Sequence, residues 1–407
     1  MPHRLRVLAS HPVQYHVPYY RALIAAGIDL AVGYFHPGTA AGVAYDRGFG
    51  RAFRWDVDLL SGVPHHFFSQ TSGDYSRRAQ MRAAPALLRW ALAERRTPLL
   101  LVGWFAPLAY AAWLARTGLR MPTLLFTETT PRTWARQPKP RWRAALTSGL
   151  CRRAAACLAI GTENARFYKE RGVAPQRIFR TPYSIDNERF AARAATLRHE
   201  RHALCTQYGL DPALPTFVFC GKFEPVKRPL LLLEAYLAAG LAEKAQLVYV
   251  GDGALRPALA ARIEAAGAKN VHLIGFLNQS EMPAAYVLGE VLCLVSEAET
   301  WGLVVNEALA CGRPVIVTAG VGCAADLVDG ANGWRSPQPS PHDGAIPPGY
   351  PNQGAIHALA KTLQKAWGAR DQWERMGAAG QVRVAAHTFT QMAQGTVAAL
   401  EFLRTNY

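Results

Sequence analysis

Short, mostly apolar runs recur along the chain at intervals too long for hairpins. They fall at 7–9, 99–102, 123–126, 216–220, 246–250, 271–274, 291–295 and 315–318. Each has four or five residues or fewer, is rich in Val, Leu, Ile and Phe, and has hardly any polar alternation. A strand covered on both faces has this composition, as strands do in a parallel sheet. The intervening stretches carry helical periodicity. Examples are 107–116 with Pro107 at its start, 303–311 closed by Gly312, and two late segments at 355–367 and 391–403. Strand and helix patterns that alternate in this way predict α/β architecture with parallel sheets. Residues 336–354 are rich in Pro and Gly and predict an irregular loop.

The stretch 291–318, VLCLVSEAETWGLVVNEALACGRPVIVT, packs strand, loop, helix and strand together without spacers. Its loop opens onto a helix N-terminus, where free amide groups and the helix dipole favour an anion. Ser296 or Thr300 is the expected cap. Glu299 lies in the loop and Glu307 on the helix, seven residues between them. Glu307 sits in LVVNEALA, among apolar neighbours. Two readings stand for it: a core carboxylate satisfied by its surroundings, or an acceptor for ligand hydroxyls.

Ligands of open α/β sheets sit outside the carboxyl ends of the strands. The segments 221–227, 251–253, 275–276 and 299–302 all follow predicted strands, so parallel pairing gathers them at one edge. That edge brings the cations of Lys222 and Lys227 to the helix that starts at Gly302, a setting for a diphosphate. Taken singly, each lysine is equally well a solvated surface charge.

A length of 407 residues predicts two domains, and 50% hydrophobic with 18% charged residues excludes a disordered chain. The start, Met1 to Arg6, has no apolar segment of the secretory kind. Seven Cys without CxxC spacing fit small core residues in a reducing compartment. Residues 98–113 carry no charge, but Pro98, Gly103 and Pro107 interrupt them, which favours strand, loop and helix over a membrane span. The His pattern offers no zinc site, and Walker A and Gly-x-Ser-x-Gly motifs are absent. Charge is uneven. Up to Cys205 there are 30 Lys and Arg against 12 Asp and Glu, and from Thr206 onward 15 against 17. A solvated basic surface explains this, and so does attraction to an anionic membrane, for which Trp134 and Trp142 among the arginines of 132–153 are suited. No nucleic-acid motif accompanies the charge, so no nucleic-acid partner is expected.

The order of these segments resembles the family 4 glycosyltransferases. The 299–307 spacing is similar to their Glu-x7-Glu signature. Cys220–Arg228 (CGKFEPVKR) resembles their strand-loop segment GRLxxxKG, with Lys222 in place of Arg. VYVGDG at 248–253, VHLIGFL at 271–277, GCAADLVDGANG at 322–333 and YSIDNERF at 183–190 resemble further segments in the same order. The resemblance implies a GT-B fold, two Rossmann-like parallel-sheet domains facing across a cleft. It implies an acceptor-side domain over 1–181, a nucleotide-sugar-binding domain over 182–386, and a last helix at about 387–407 crossing back to the first. It implies a retaining transfer of a sugar from a nucleotide sugar to a glycan or lipid-linked acceptor. In that scheme Glu299 holds sugar hydroxyls and Glu307 the ribose. Lys222 and Lys227 hold the diphosphate, completed by Gly221 and the backbone of Gly302 and Leu303, and Gly275 and Phe276 lie along the base. Glu299, Lys227 and Glu128 are the residues assigned to catalysis. SHPVQYHVPY at 10–19 resembles the first loop of a subset of these enzymes, which implies acceptor-side places for His11, Gln14 and Tyr15, and Trp104 is also expected on that side. Glu128 stands where many relatives carry a histidine. It is read either as an acceptor-orienting base or as a loop partner of Arg132 or Arg136. No metal or other cofactor is expected, and Asp56-Val57-Asp58 is set aside as a chance Asp-x-Asp. The expected location is cytoplasmic, at the inner face of the membrane. A GT-B epimerase or phosphorylase relative, and a catalytically silent sugar-nucleotide-binding or glycan-binding subunit, are the alternatives.

Overall fold

The computed structural model describes residues 4–40, 42–46, 48–103, 106–136, 139–337 and 352–406. The chain divides into two units. The first comprises Met1–Ala44, Ala52–Ser184 and His387–Tyr407, and the second Tyr45–Arg51 and Ile185–Ala386.

In the first unit, β1 (Arg4–Ala9) pairs with β2 (Asp29–Tyr34). A two-stranded ribbon of β3 (Ala44–Asp46) and β4 (Arg51–Phe53) is separate from the sheet, and its residues 45–46 and 51 group with the second unit. β5 (His65–Phe67), β6 (Leu99–Val102), β7 (Thr123–Phe126), β8 (Ala156–Ala159) and β9 (Ile178–Arg180) complete a sheet of order β5-β2-β1-β6-β7-β8-β9. Its pairings are parallel. Strands β6, β7 and β8 are buried at every residue, which accounts for their lack of polar alternation. The final helix, Phe389–Asn406, packs on the helix His16–Ala25. There the hydroxyls of Tyr19 and Thr396 lie 2.6 Å apart, and Phe402 meets Phe179. One buried charge was not anticipated: the Arg116 guanidinium donates to the carbonyls of Ala91, Thr97 and Pro122 and to the Thr123 hydroxyl. Burial lowers its pKa to about 10, still far above neutrality.

The second unit holds β10 (Thr216–Cys220), β11 (Gln246–Val250), β12 (Val271–Gly275), β13 (Val291–Leu294), β14 (Val315–Thr318) and β15 (Gly333–Ser336). Their order is β12-β11-β10-β13-β14-β15, with parallel pairing throughout. Sequence order reverses between β10 and β13, as it does between β1 and β6 in the first sheet. These are the positions where open parallel sheets leave a crevice. The predicted strands and helices fall where expected, with ends moved by a few residues. The helix Leu303–Ala310 stops one residue early, and the late helices extend to Gln353–Gly368 and Phe389–Asn406. A further helix, Trp373–Val384, was missed because its Gly377 and Gly380 weaken the helical pattern. Both glycines have a packing reason. A Cβ on Gly377 would lie 2.0 Å from the Gly312 carbonyl oxygen, and one on Gly380 2.7 Å from Leu309. The irregular loop predicted at 336–354 falls mostly outside the described residues. All seven cysteines are free and buried. Burial raises the pKa of each thiol.

Candidate functional site

The second sheet presents its polar residues at the β10/β13 reversal. β10 runs into Gly221, Lys222 and the short turn Pro225–Lys227. That turn ends at Arg228, which takes a left-handed conformation (φ 54°) directly before the helix Pro229–Ala238. β13 runs into Ser296–Gly302 and the helix Leu303–Ala310. The two loops are tied together, since Glu297 N–H donates to the Val226 carbonyl at 2.8 Å. Lys227 Nζ donates to Glu299 Oε2, and Ser296 Oγ lies 3.3 Å from the same oxygen. The Lys227 and Glu299 side chains are only 23% and 15% exposed, so their charges are screened less than surface charges.

Backbone contacts fix Glu299 from both sides. Its N–H donates to the Gly320 carbonyl at 2.9 Å, and its carbonyl accepts from Gly322 N–H at 3.2 Å. A Cβ on Gly322 would fall 2.0 Å from the Thr300 carbonyl oxygen, so only glycine lets the 320–323 backbone approach this loop. The cap expected from Ser296 or Thr300 is corrected: the N-cap is Gly302, at φ 100°, a conformation that residues with a Cβ rarely take. A glycine there leaves the first helical turn open at the sheet edge.

Glu307 lies one helical turn further on and is 1% exposed. Tyr286 donates its hydroxyl to Glu307 Oε2 at 2.5 Å. Its neighbour Asn306 accepts from the indole N–H of buried Trp301 at 2.9 Å. On the other flank Gly251 N–H donates to the Gly275 carbonyl at 2.7 Å, which fixes the two strand ends beside Phe276. Lys222 Nζ donates to both oxygens of Asp46, at 2.9 and 3.1 Å. Burial raises the Asp46 pKa, but hydrogen bonds from Lys222 and from the Phe49 and Gly48 amides outweigh it and hold the carboxyl below its usual range. The second unit therefore places Gly221, Lys222, Lys227, Gly275, Phe276, Glu299 and Gly302 at strand ends or in the segments that follow them, with Leu303 opening the helix and Glu307 buried further along it.

In the first unit, Glu128 follows β7 and is 34% exposed. Tyr183 donates its hydroxyl to Glu128 Oε1 at 2.7 Å. His16, first residue of its helix, sets Nε2 3.1 Å from that hydroxyl and 3.5 Å from the same carboxylate oxygen. Burial pushes the Tyr183 phenol well above its usual pKa, and the Glu128 charge pushes it further, so the hydroxyl stays a donor. Two distant chain segments thus meet at one carboxylate. His11 belongs to a second cluster. Its ring stacks on His36 at 5.2 Å and its Nδ1 lies 2.9 Å from Ser10 Oγ, while His36 pairs with Tyr75 at 2.8 Å. Gln14 lies in the turn before the His16 helix, and Tyr15 is that helix's N-cap residue. Trp104 lies outside the described residues.

Sequence reasoning did not single out Asp46, Tyr286, His16 or Tyr183. Tyr183 stood in the 183–190 segment, but nothing in that segment marks it as a partner of Glu128, 55 residues away. His16 stood in the quoted 10–19 string, but its partners are more than a hundred residues away. Among the described residues no group of three or more His, Cys, Asp or Glu is arranged to hold a metal ion.

Residues 204–345 match the family description "Glycosyl transferases group 1". A D-inositol 3-phosphate glycosyltransferase of Xylanimonas cellulosilytica is 29% identical over 162 residues, 39% of this chain and 38% of that protein. An alpha-D-kanosaminyltransferase of Streptomyces kanamyceticus is 30% identical over 198 residues, 46% of this chain and 50% of that protein. The chain therefore spans half or less of the length of these curated relatives. HepE from Anabaena, solved in complex with UDP and glucose, superposes with a TM-score of 0.70 at 14% identity, covering 98% of this chain and 99% of that one. With two parallel sheets and likeness over nearly the whole chain, the fold is GT-B.

Proposed function

We propose that the protein is a glycosyltransferase that takes a sugar from a nucleoside-diphosphate sugar and transfers it, with retention of anomeric configuration, to a hydroxyl of a glycan or lipid-linked acceptor. The observation that carries this reading is the gathering of Lys222, Lys227, Glu299 and the Gly302 helix start at the sheet reversal of the second unit. The group 1 family match lies over the same segments, and HepE, of the same fold, binds UDP and glucose.

In this reading the diphosphate meets Lys222, Lys227 and the amides at the start of the Leu303–Ala310 helix. Negative charge grows on the diphosphate as the glycosidic bond breaks. Fixed cations and amides aimed at that charge lower the barrier without reorganising. Glu299, held by Lys227 and by backbone on both sides, accepts from sugar hydroxyls and orients the ring. Glu307 accepts from the ribose once its Tyr286 contact rearranges. On the acceptor side, Glu128 orients the incoming hydroxyl or accepts its proton, with Tyr183 and His16 holding the carboxylate.

No helix among the described residues is long and apolar enough to cross a membrane. The membrane contact we propose is peripheral. It uses the helix Arg141–Arg153, where Trp142 is 68% exposed between Arg141 and Arg143. Trp134 is excluded from it, because its ring packs against Phe167 and under Lys139 and Arg171.

The deciding experiment is a thermal-shift panel of UDP, GDP and ADP and their sugars, followed by donor turnover with and without candidate acceptors. A nucleotide sugar that raises the Tm and is consumed only with acceptor supports the reading. Turnover without acceptor points to an epimerase or phosphorylase, and binding without turnover to a silent subunit. No shift with any nucleotide overturns the donor assignment.

A further inference from the structure

The strand-end loops of the second unit already carry an occupant. Tyr45–Arg51 groups with that unit, and residues 45–46 and 48–51 of it are described. Asp46 places both carboxylate oxygens on Lys222, and it also accepts from the amides of Gly48 and Phe49 at 2.8 and 3.0 Å, which folds the strap into a tight turn. Phe49 sets its ring edge-on to Phe276 at 5.0 Å, and the Lys222 ammonium lies 4.9 Å from the same Phe49 ring. Arg51 lays its guanidinium over Phe276 at 4.9 Å. The backbone is equally close. A Cβ on Gly253 would lie 2.9 Å from the Gly48 carbonyl oxygen, and one on Gly48 would lie 2.6 Å from Lys222 and Glu224.

The chemistry of these contacts copies that of a nucleotide. An anionic group with two oxygens engages the lysine, and a short distance away a guanidinium lies over an aromatic ring with a second ring edge-on to it. A guanidinium stacks on an aromatic ring much as a base does. We propose that the strap 45–51 is an internal occupant of the donor site, with Asp46 standing in for a phosphate on Lys222 and Phe49 with Arg51 standing in for a base on Phe276. This rests on the donor-site reading above and adds to it a competitor built into the chain. A nucleoside diphosphate binds only to the fraction of molecules whose strap has lifted, so its apparent affinity falls by that fraction.

The test is isothermal titration calorimetry of UDP, GDP, ADP and inorganic pyrophosphate against the full chain and four variants. Asp46→Asn should tighten the bound nucleotide and pyrophosphate alike, by about 5-fold, the scale of a partly exposed ion pair. Phe49→Ala, which leaves charge unchanged, should tighten the nucleotide by about 3-fold and pyrophosphate by less. Lys222→Met should weaken both. Asp58→Asn, a like change of charge at a carboxylate paired with Arg21, should leave both unchanged. Tighter binding in the two strap variants together with weaker binding in Lys222→Met supports the proposal. Unchanged or weaker nucleotide binding in Asp46→Asn and Phe49→Ala overturns it, the weaker result making the strap a wall of the site. Binding of no nucleotide by wild type or any variant removes the donor reading and the strap proposal with it, an outcome distinct from equal binding by all.

Discussion

In the second unit, Lys222, Lys227, Glu299 and Gly302 all stand on loops that directly continue strands. In the first unit, Glu128 also follows a strand, but it is held by Tyr183 and His16, which come from distant parts of the sequence. One edge is shaped by the main chain: Gly322 and Gly302 set the position of the Glu299 loop and of the helix start. The other is shaped by side chains meeting across space. A main-chain edge suits a ligand part shared by many proteins, such as a diphosphate. A side-chain edge can be refitted to a new ligand by a few substitutions, which suits a variable acceptor.

The sharpest break of this contrast is Lys227→Ala. It removes a cation from the main-chain edge and should lower kcat/KM for sugar transfer by about 300-fold, with circular dichroism unchanged. Near-wild-type turnover on the true donor would show that the β10/β13 edge is not where the diphosphate sits.

Much of that edge was legible because its signals are local. A five-residue apolar strand, a glycine and a lysine within seven positions suffice to place Lys222 at a sheet edge. Glu299 and Gly302 lie on one short loop between a strand and a helix. Parallel strands were legible in their apolar runs, with most ends moved by a residue or two, but the order of strands in each sheet was not. What was not legible depends on pairs far apart in sequence. Tyr183 and Glu128 are 55 residues apart, and Lys222 and Asp46 are 176. No periodicity records such meetings. The capping expectation failed for a different reason: hydroxyl residues stood nearby, but the backbone turn required the positive φ of Gly302.

The side-chain edge gives the second test. Glu128→Gln should lower kcat by about 100-fold while nucleotide affinity, measured by calorimetry, stays within 2-fold or so. Tyr183→Phe removes only the hydroxyl that holds Glu128 and should lower kcat by about 10-fold, again without loss of donor affinity. Parallel loss of affinity and rate in both variants would assign them to folding or donor binding, and the two edges would no longer differ in role.

The smallest effect belongs to the basic surface of the first unit. Replacing Arg141 and Arg143 by Gln should weaken sedimentation with anionic vesicles about 3-fold at physiological salt, and the difference should shrink in high salt. Equal sedimentation of wild type with neutral and anionic vesicles would leave the charge asymmetry as a solvated surface only.

The burial of all seven thiols has a practical corollary. With each held in its protonated form, the native chain offers thiol-directed dyes and spin labels almost nothing to react with. A single cysteine introduced at an exposed position would become a unique attachment point without prior removal of the natural ones. Position 45, where the tyrosine is 66% exposed, would put a reporter on the strap itself. Its emission or mobility would then follow strap lifting in real time, molecule by molecule, as nucleotide is added.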